Sequence, residues 1–341
     1  MDERRTGQAP KLSLGTPFRR NAQTTHADAS KEGAVRATDS DALLSRVSAV
    51  QAGYLPHDPY APLLVPDQDA PPRRPLLINI GTALRSGEVD ARVDAFLQSG
   101  SLQLPSHGTS AQAVQIVSLG AGSDTRFWRI QEAGEALSSR LARYVEVDYP
   151  QVAAHKSTRI RTEPALAAPL GALQDAPNHE IHSDKYVLLA EDLHTYGQDT
   201  PNASIDRLLA QLDTSIPTLL LWECVLAYVD PDAANRVMER LFARLPRVAV
   251  LCYDMCVSGE QAEPGAPPDR FGRMMLQNLA ARRLELVGAR KYMTPDLYAE
   301  RFRALLERTR AGAAVHSGAY SLRHAWQALA PEERHRLSWK S

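Results

Sequence analysis

The residues that could do chemistry in this sequence cluster at the ends of apolar runs. The run QIVSL is followed by Gly120, Ala121, Gly122, Ser123, Asp124 and Thr125. Two glycines one residue apart let the backbone pass close to a bound molecule with no side chain in the way, although such a turn also joins a strand to a helix for packing alone. A dinucleotide site rests its diphosphate on the next helix N-terminus and uses a third glycine for helix packing. Here Thr125 takes that third position, behind the acid Asp124. A carboxylate repels a diphosphate but tolerates an amino group or a sulfonium, so the turn points to a nucleoside without phosphates. The run RYVEVD supplies Glu146 and Asp148, and Asp148 closes it just before Tyr149 and Pro150, placed to accept hydrogen bonds from two ribose hydroxyls. A third run ends in Glu191, Asp192 and Leu193, where a carboxylate and a backbone amide could bracket an adenine. Glu223 interrupts TLLLWECVLAYV. A buried, unpaired carboxylate is costly, so Glu223 needs a partner, either a positively charged ligand group or a structural arginine.

Such positions need a scaffold that brings strand ends together. QIVSLGAG, RYVEVDYP, KYVLLAEDL, TLLLWECVLAYV and RVAVLCYDMCV are short, continuously apolar runs separated by helical or loop segments. That pattern describes strands covered on both faces in a parallel α/β sheet, whose ligands bind at the carboxyl ends of the strands. Ahead of them, Leu43, Leu44, Val47, Val50 and Tyr54 recur at helical spacing behind the N-cap candidates Ser40 and Asp41. The proline-rich link DPYAPLLVPDQDAPPRRP excludes regular structure, and a second helix is expected from about Asn79 to Gln98. Residues 1–38 are polar and without periodicity, which predicts a disordered arm. The rest, 39–341, reads as one domain, with a helical part over 39–110 and a sheet-bearing core over 111–341. No internal repeat is visible.

A chain of 341 residues that is 44% hydrophobic and 23% charged can bury one large core. Its net charge of −1 offers no overall basic field to gather nucleic acid or anionic lipid, so neither is expected as a partner. The first residues, MDERRTGQAP, lack the apolar segment of a secretory signal, and no stretch approaches the roughly 20 apolar residues that cross a bilayer. A cytoplasmic location is expected, with the nucleus as a second compartment. Cys224, Cys252 and Cys256 lie in or beside strand-like runs without zinc-site spacing, so buried thiols and no metal are expected. A monomer is the default.

The blocks VSLGAGSDTRFWRI, YVEVDYP, LLAEDL, LLLWECVLAYVDPDAANRVM and FGRMMLQNLAARR, in this order from about Asp41 to Lys291, resemble the leucine carboxyl methyltransferase family. The resemblance implies a class I S-adenosylmethionine-dependent methyltransferase fold, with a Rossmann-like parallel sheet and an added helical lid over 39–110. It implies S-adenosyl-L-methionine as cofactor, the α-carboxylate of a C-terminal leucine as acceptor and the type 2A protein phosphatase catalytic subunit as partner. Carried over residue by residue, Gly120 would lie against the methionine part of the cofactor, Asp148 would hold the ribose and Asp192 and Leu193 would frame the adenine. Glu223 would face the methionine portion, and Arg85, in INIGTALR, would contact cofactor and substrate near the reacting centre. Arg46 stands where the family usually shows lysine and would keep a cationic, cofactor-binding role, and Tyr228 would belong to the leucine pocket; Arg85 and Tyr228 are thus the catalytic candidates. A C-terminal α-carboxyl has a reference pKa of roughly 3.5 and is already an anion, so no general base is required. Family members end their sheet with a further C-terminal strand. This sequence offers only the weak strand candidate GAAVHSGAYSL with a polar helix after it, so the last strand is expected to be missing. The alternatives to keep in view are the branch that methylates a carboxyl on a modified tRNA base, a carboxyl or small-molecule O-methyltransferase with another substrate, and a cofactor-binding homologue that does not catalyse.

Overall fold

The computed structural model describes residues 31–66, 73–102, 112–177, 179–196, 204–260, 262, 266–310 and 315–338. All five apolar runs form strands: β1 (Val114–Leu119), β2 (Leu141–Asp148), β4 (Tyr186–Ala190), β5 (Thr218–Glu223) and β6 (Val248–Tyr253), with a two-residue strand β3 (Ile181–His182) besides. They make one sheet in the order β3-β4-β2-β1-β5-β6. Only the β3–β4 pair is antiparallel. The order runs outward from β1 in both directions, to β2 on one side and to β5 on the other, which opens a crevice at the carboxyl end of β1. Register does the rest. Leu119 is level with Val147 and with Trp222, and Asp148 with Ala190, so Gly120, Asp148, Glu191 and Glu223 emerge along one edge.

Helices α1 (Lys31–Gln51), α2 (Ala61–Leu64) and α3 (Leu76–Ser99) precede the sheet, and α4 (Arg126–Glu132) leaves the glycine turn. One face of the sheet shares a core with these helices and with the helix Pro150–Thr162, through Leu43, Val47, Phe96, Phe127, Trp128 and Ile160. The other face packs on the helices Pro231–Arg244 and Pro295–Thr309, through Val237, Met238, Leu241 and Tyr298. Burial on both faces is why the strands read as unbroken apolar runs rather than as alternating ones.

Three expectations need correction. Residues 1–30 lie outside the described residues, but Lys31–Thr38 is helical, so α1 begins eight residues before Asp39. Ser40 and Asp41 therefore lie inside the helix rather than at its N-cap, and their neighbour Asp39 binds Ser123. The proline-rich link contains one helical turn, α2, because Pro62 falls in its first turn, where the missing N–H is no loss. The strand candidate GAAVHSGAYSL is no strand: 311–314 lie outside the described residues, and 315–321 have no regular structure. Tyr320 draws that segment to α3, donating to Glu88 at 2.6 Å and accepting from Arg92 at 3.3 Å. Among the described residues no strand follows β6, whose residues are all only half-buried at the sheet edge, and two polar helices end the chain's described part.

Candidate active site

The glycine turn is built for close approach. Gly120 and Gly122 have φ of +70° and +53°, a region that side chains avoid. A Cβ on Gly120 would stand 2.5 Å from Val225, and one on Gly122 would stand 2.5 Å from an Asp39 oxygen. The Gly122 N–H donates to Asp148 at 2.6 Å, and Ser123 donates to Asp39 through its N–H at 2.6 Å and its hydroxyl at 2.8 Å. The lid helix α1 is thereby fastened to the turn.

Asp148 closes β2 with backbone amides as its hydrogen-bond partners, Gly122 and, at 2.7 Å, Tyr149. Burial pushes its carboxyl up to about 6, Asp39 adds to the rise, and the two amides oppose it. Among the described residues no cation is bonded to it, so this carboxylate retains lone pairs for neutral hydroxyl donors such as those of a ribose. Asp192 is half-exposed and is held by the amide and ring of His194 at 2.9 and 2.8 Å, next to buried Leu193. Glu191, which the sequence reading also placed at an adenine edge, is instead tied to Arg207.

Glu223 ends β5 and has two guanidinium partners, Arg85 Nε at 2.6 Å and Arg126 Nη2 at 3.3 Å. The structural arginine is thus the partner the structure contains. The Arg85 guanidinium also lies 5.4 Å over the Tyr253 ring. Arg85 is anchored through Nε and set over a ring, and among the described residues no acceptor is bonded to its two terminal nitrogens, which could fork onto a carboxylate. The next residue, Cys224, has φ of +59° and turns the chain sharply towards Tyr228. Tyr228 is half-buried and packs on a small apolar cluster built from Ala227, Val257, Leu276, Leu286 and Ala289, and burial pushes its phenol up.

Arg46 is committed elsewhere. It donates to the buried Asp58 at 2.6 Å and to Ser86 at 3.2 Å, while Asp58 also accepts from Thr125 at 2.7 Å. Its charge thus supports the end of the glycine turn through a carboxylate. Asp124 also differs from its sequence reading: it pairs with Arg126 at 2.5 Å inside the core, so its charge is compensated and neither repels nor attracts a ligand. The argument against a diphosphate therefore rests on the missing third glycine and on unpaired Asp148.

Sequence reasoning missed the residues beneath these. Arg126, 4% exposed, binds Asp90, Asp124 and Glu223, and Arg129 shares Asp90. Asp254, just past β6, accepts from the amides of Ala227 and Met255 at 2.9 and 2.8 Å and so fixes the turn that carries Tyr228. Burial pushes Asp254 up to about 6. Among the described residues no group of histidines, cysteines and acids is arranged to hold a metal ion, and no helix is long and apolar enough to cross a membrane.

Comparison with known proteins gives a consistent family. The family model described as leucine carboxyl methyltransferase matches residues 34–242. A leucine carboxyl methyltransferase 1 of Mycosarcoma maydis is 36% identical, over 90% of this chain and 73% of its own length. One of Cryptococcus neoformans is 35% identical, over 90% of this chain and 86% of its own length. A human tRNA wybutosine-synthesizing protein 4 is 34% identical over 81% of this chain, which spans 37% of that protein.

Proposed function

Because the chain belongs to the leucine carboxyl methyltransferase family, we propose that it transfers a methyl group from S-adenosylmethionine to the α-carboxylate of the C-terminal leucine of a type 2A protein phosphatase catalytic subunit. The observation that carries the reading is the position of Arg85. Its guanidinium is fixed by Glu223 at 2.6 Å and by the Tyr253 ring, with Tyr228 and its apolar surroundings following in the same strand-to-turn segment. A fixed cation on the segment that leads into an apolar cluster is what a terminal leucine asks for, a carboxylate at one end and an isobutyl group at the other. Methionines 255, 275 and 293, partly buried against that cluster, give it an adaptable edge.

When bound, S-adenosylmethionine supplies the electrophilic methyl group on a cationic sulfur. Gly120 would lie against its methionine part, Asp148 would accept from the ribose, and Asp192 with Leu193 would border the adenine. Arg85 orients the acceptor carboxylate and holds one oxygen lone pair in line, which is the contribution of positioning to a two-substrate reaction. The acceptor is already ionised, so the residues have no proton to remove. Charge disappears along the reaction, and the apolar surroundings of Tyr228 favour it by excluding the water that would stabilise separated ions. The same reading takes the enzyme as a monomer acting in the cytoplasm.

The test is transfer of labelled methyl from S-adenosylmethionine to the intact phosphatase catalytic subunit, beside a subunit lacking its terminal leucine. Base-labile label on the intact subunit alone is the expected result. Label on neither, with cofactor binding shown separately, would overturn the substrate and leave the cofactor site standing.

A further inference from the structure

Beneath the glycine turn lies a buried ion pair to which the reaction assigns nothing. Lys156, on the helix Pro150–Thr162, and Glu146, in the middle of β2, are 1% and 0% exposed. The ammonium uses its three protons on three acceptors: Glu146 Oε2 at 2.5 Å, the Gly122 carbonyl at 3.0 Å and the Asp124 carbonyl at 2.8 Å. Neither carbonyl accepts a backbone N–H among the described residues. Lys156 also stands 5.5 Å over the Trp128 ring, and Glu146 accepts a second hydrogen bond from Tyr186 at 2.8 Å. The surrounding side chains, Phe127, Trp128, Tyr144 and Tyr186, are aromatic and fully buried.

An ion pair in such a place is a poor device for stability, because the desolvation of both charges offsets their attraction, and apolar replacements of such pairs are often neutral or stabilising. What an apolar side chain could not do is hold two carbonyls of a turn whose glycine has φ of +53°. Gly122 is held from both sides: its carbonyl by Lys156, and its N–H by Asp148 at 2.6 Å. A continuous chain of contacts therefore runs from Glu146 through Lys156 and Gly122 to the carboxylate proposed to bind the ribose.

We infer that Lys156 is a positioning residue for the cofactor: its ammonium, braced by Glu146, fixes the glycine turn through the Gly122 and Asp124 carbonyls and so aims Asp148 at the ribose. This rests on the cofactor reading of the preceding subsection, but not on its phosphatase substrate. Burial pushes Glu146 up to about 7, against the pull of Lys156, so glutamine is a close mimic of its protonated form. The double variant Glu146→Gln/Lys156→Met thus removes both charges together and strands neither, which separates positioning from stability.

The experiment is calorimetric titration of the full chain with S-adenosylhomocysteine, beside thermal unfolding and steady-state kinetics. The double variant is expected to unfold within a few degrees of the parent, to bind S-adenosylhomocysteine at least tenfold more weakly, and to show a matching rise in KM for S-adenosylmethionine with kcat at saturation changed less than threefold. Combined with Asp148→Asn, the loss should be well short of multiplicative, because both changes act on one contact chain. A folded double variant that binds like the parent, or losses that simply multiply, would overturn the inference. Should the double variant fail to fold, Lys156→Met alone, which removes the donor to both carbonyls while Glu146 is free to take up a proton, is titrated instead; parent-like affinity there overturns it equally. A parent chain that does not bind S-adenosylhomocysteine at all would instead bring down the cofactor reading on which the inference depends.

Discussion

Two carboxylates end neighbouring parts of the same sheet edge and are supported in opposite ways. Asp148, at the end of β2, accepts hydrogen bonds from the backbone amides of Gly122 and Tyr149 and, among the described residues, has no guanidinium bonded to it. Glu223, at the end of β5, is bonded to the guanidinia of Arg85 and Arg126. The first arrangement leaves a carboxylate that still wants neutral donors, which suits the hydroxyls of a nucleoside. The second uses its carboxylate up in aiming a cation, which suits an anionic acceptor. Both are carboxylates at the carboxyl ends of strands that flank β1, and it is the partner set that would divide the proposed cofactor side from the proposed substrate side.

Breaking the β5 side should have the largest effect. Arg85→Ala removes the fork proposed to hold the acceptor, and with two charge-assisted hydrogen bonds lost, kcat/KM should fall on the order of 10²-fold or more. Titration with S-adenosylhomocysteine should change only a few-fold, and circular dichroism should be unaltered. A variant that turns over normally would remove Arg85 from the site. The β2 side breaks differently. Asp148→Ala should weaken S-adenosylhomocysteine by roughly 10- to 100-fold, the range expected for losing hydrogen bonds to a charged acceptor, while kcat at saturating cofactor holds. If both variants lost turnover and affinity in the same proportion, the division between the two sides would be wrong.

Proton binding tests the comparison more finely. The Asp148 carboxyl lies near 6 because burial disfavours its charge. A ribose needs the ionised form, so affinity should be flat above that pH and fall by at most about tenfold per unit below it, the limit for one proton. Asp148→Asn should flatten the profile.

How much of this was legible beforehand follows from where the information resides. Strands buried on both faces are written as continuous apolar runs, so the sheet and its edge of Gly120, Asp148, Asp192 and Glu223 could be read from sequence. Arg126 could not be assigned its role, because an arginine in RFWRI looks like a solvent-facing helix residue, whereas its neighbours in space, Asp90 and Glu223, lie 36 and 97 residues away. Asp254 was hidden for the same reason, since what it holds is the backbone of Ala227, 27 positions earlier. Lys156 and Glu146 are ten residues apart, yet their meaning lies in two carbonyl groups, and the amino-acid sequence carries no mark of where a carbonyl points. Arg46 shows the converse: a cation was anticipated at this place, but its tie to Asp58, 12 residues away, could not be read from the sequence.

The smallest effect expected is on stability, and it separates the two kinds of carboxylate once more. Glu146, Asp148 and Asp254 are raised by burial, to about 7, 6 and 6, above their ordinary values of 4.5, 3.8 and 3.8. Each binds its proton more tightly folded than unfolded, so between about pH 4 and 7 the native chain holds more protons, and its stability falls as pH rises. Asp58 and Asp90, both lowered by their arginines, stay ionised in both states across that window and contribute no slope there. The ligand-free chain should therefore melt a few degrees higher at pH 5.5 than at pH 7.5. Saturation with S-adenosylhomocysteine should work against this trend, because binding requires Asp148 ionised: the rise in melting temperature on adding ligand should grow from pH 5.5 to pH 7.5. Glu146→Gln should reduce the first slope and leave the second, while Asp148→Asn should remove the second. Ligand-free melting that rises with pH instead would place these three carboxyls in contact with water, and the amide-supported half of the site would then be no drier than the arginine-supported one.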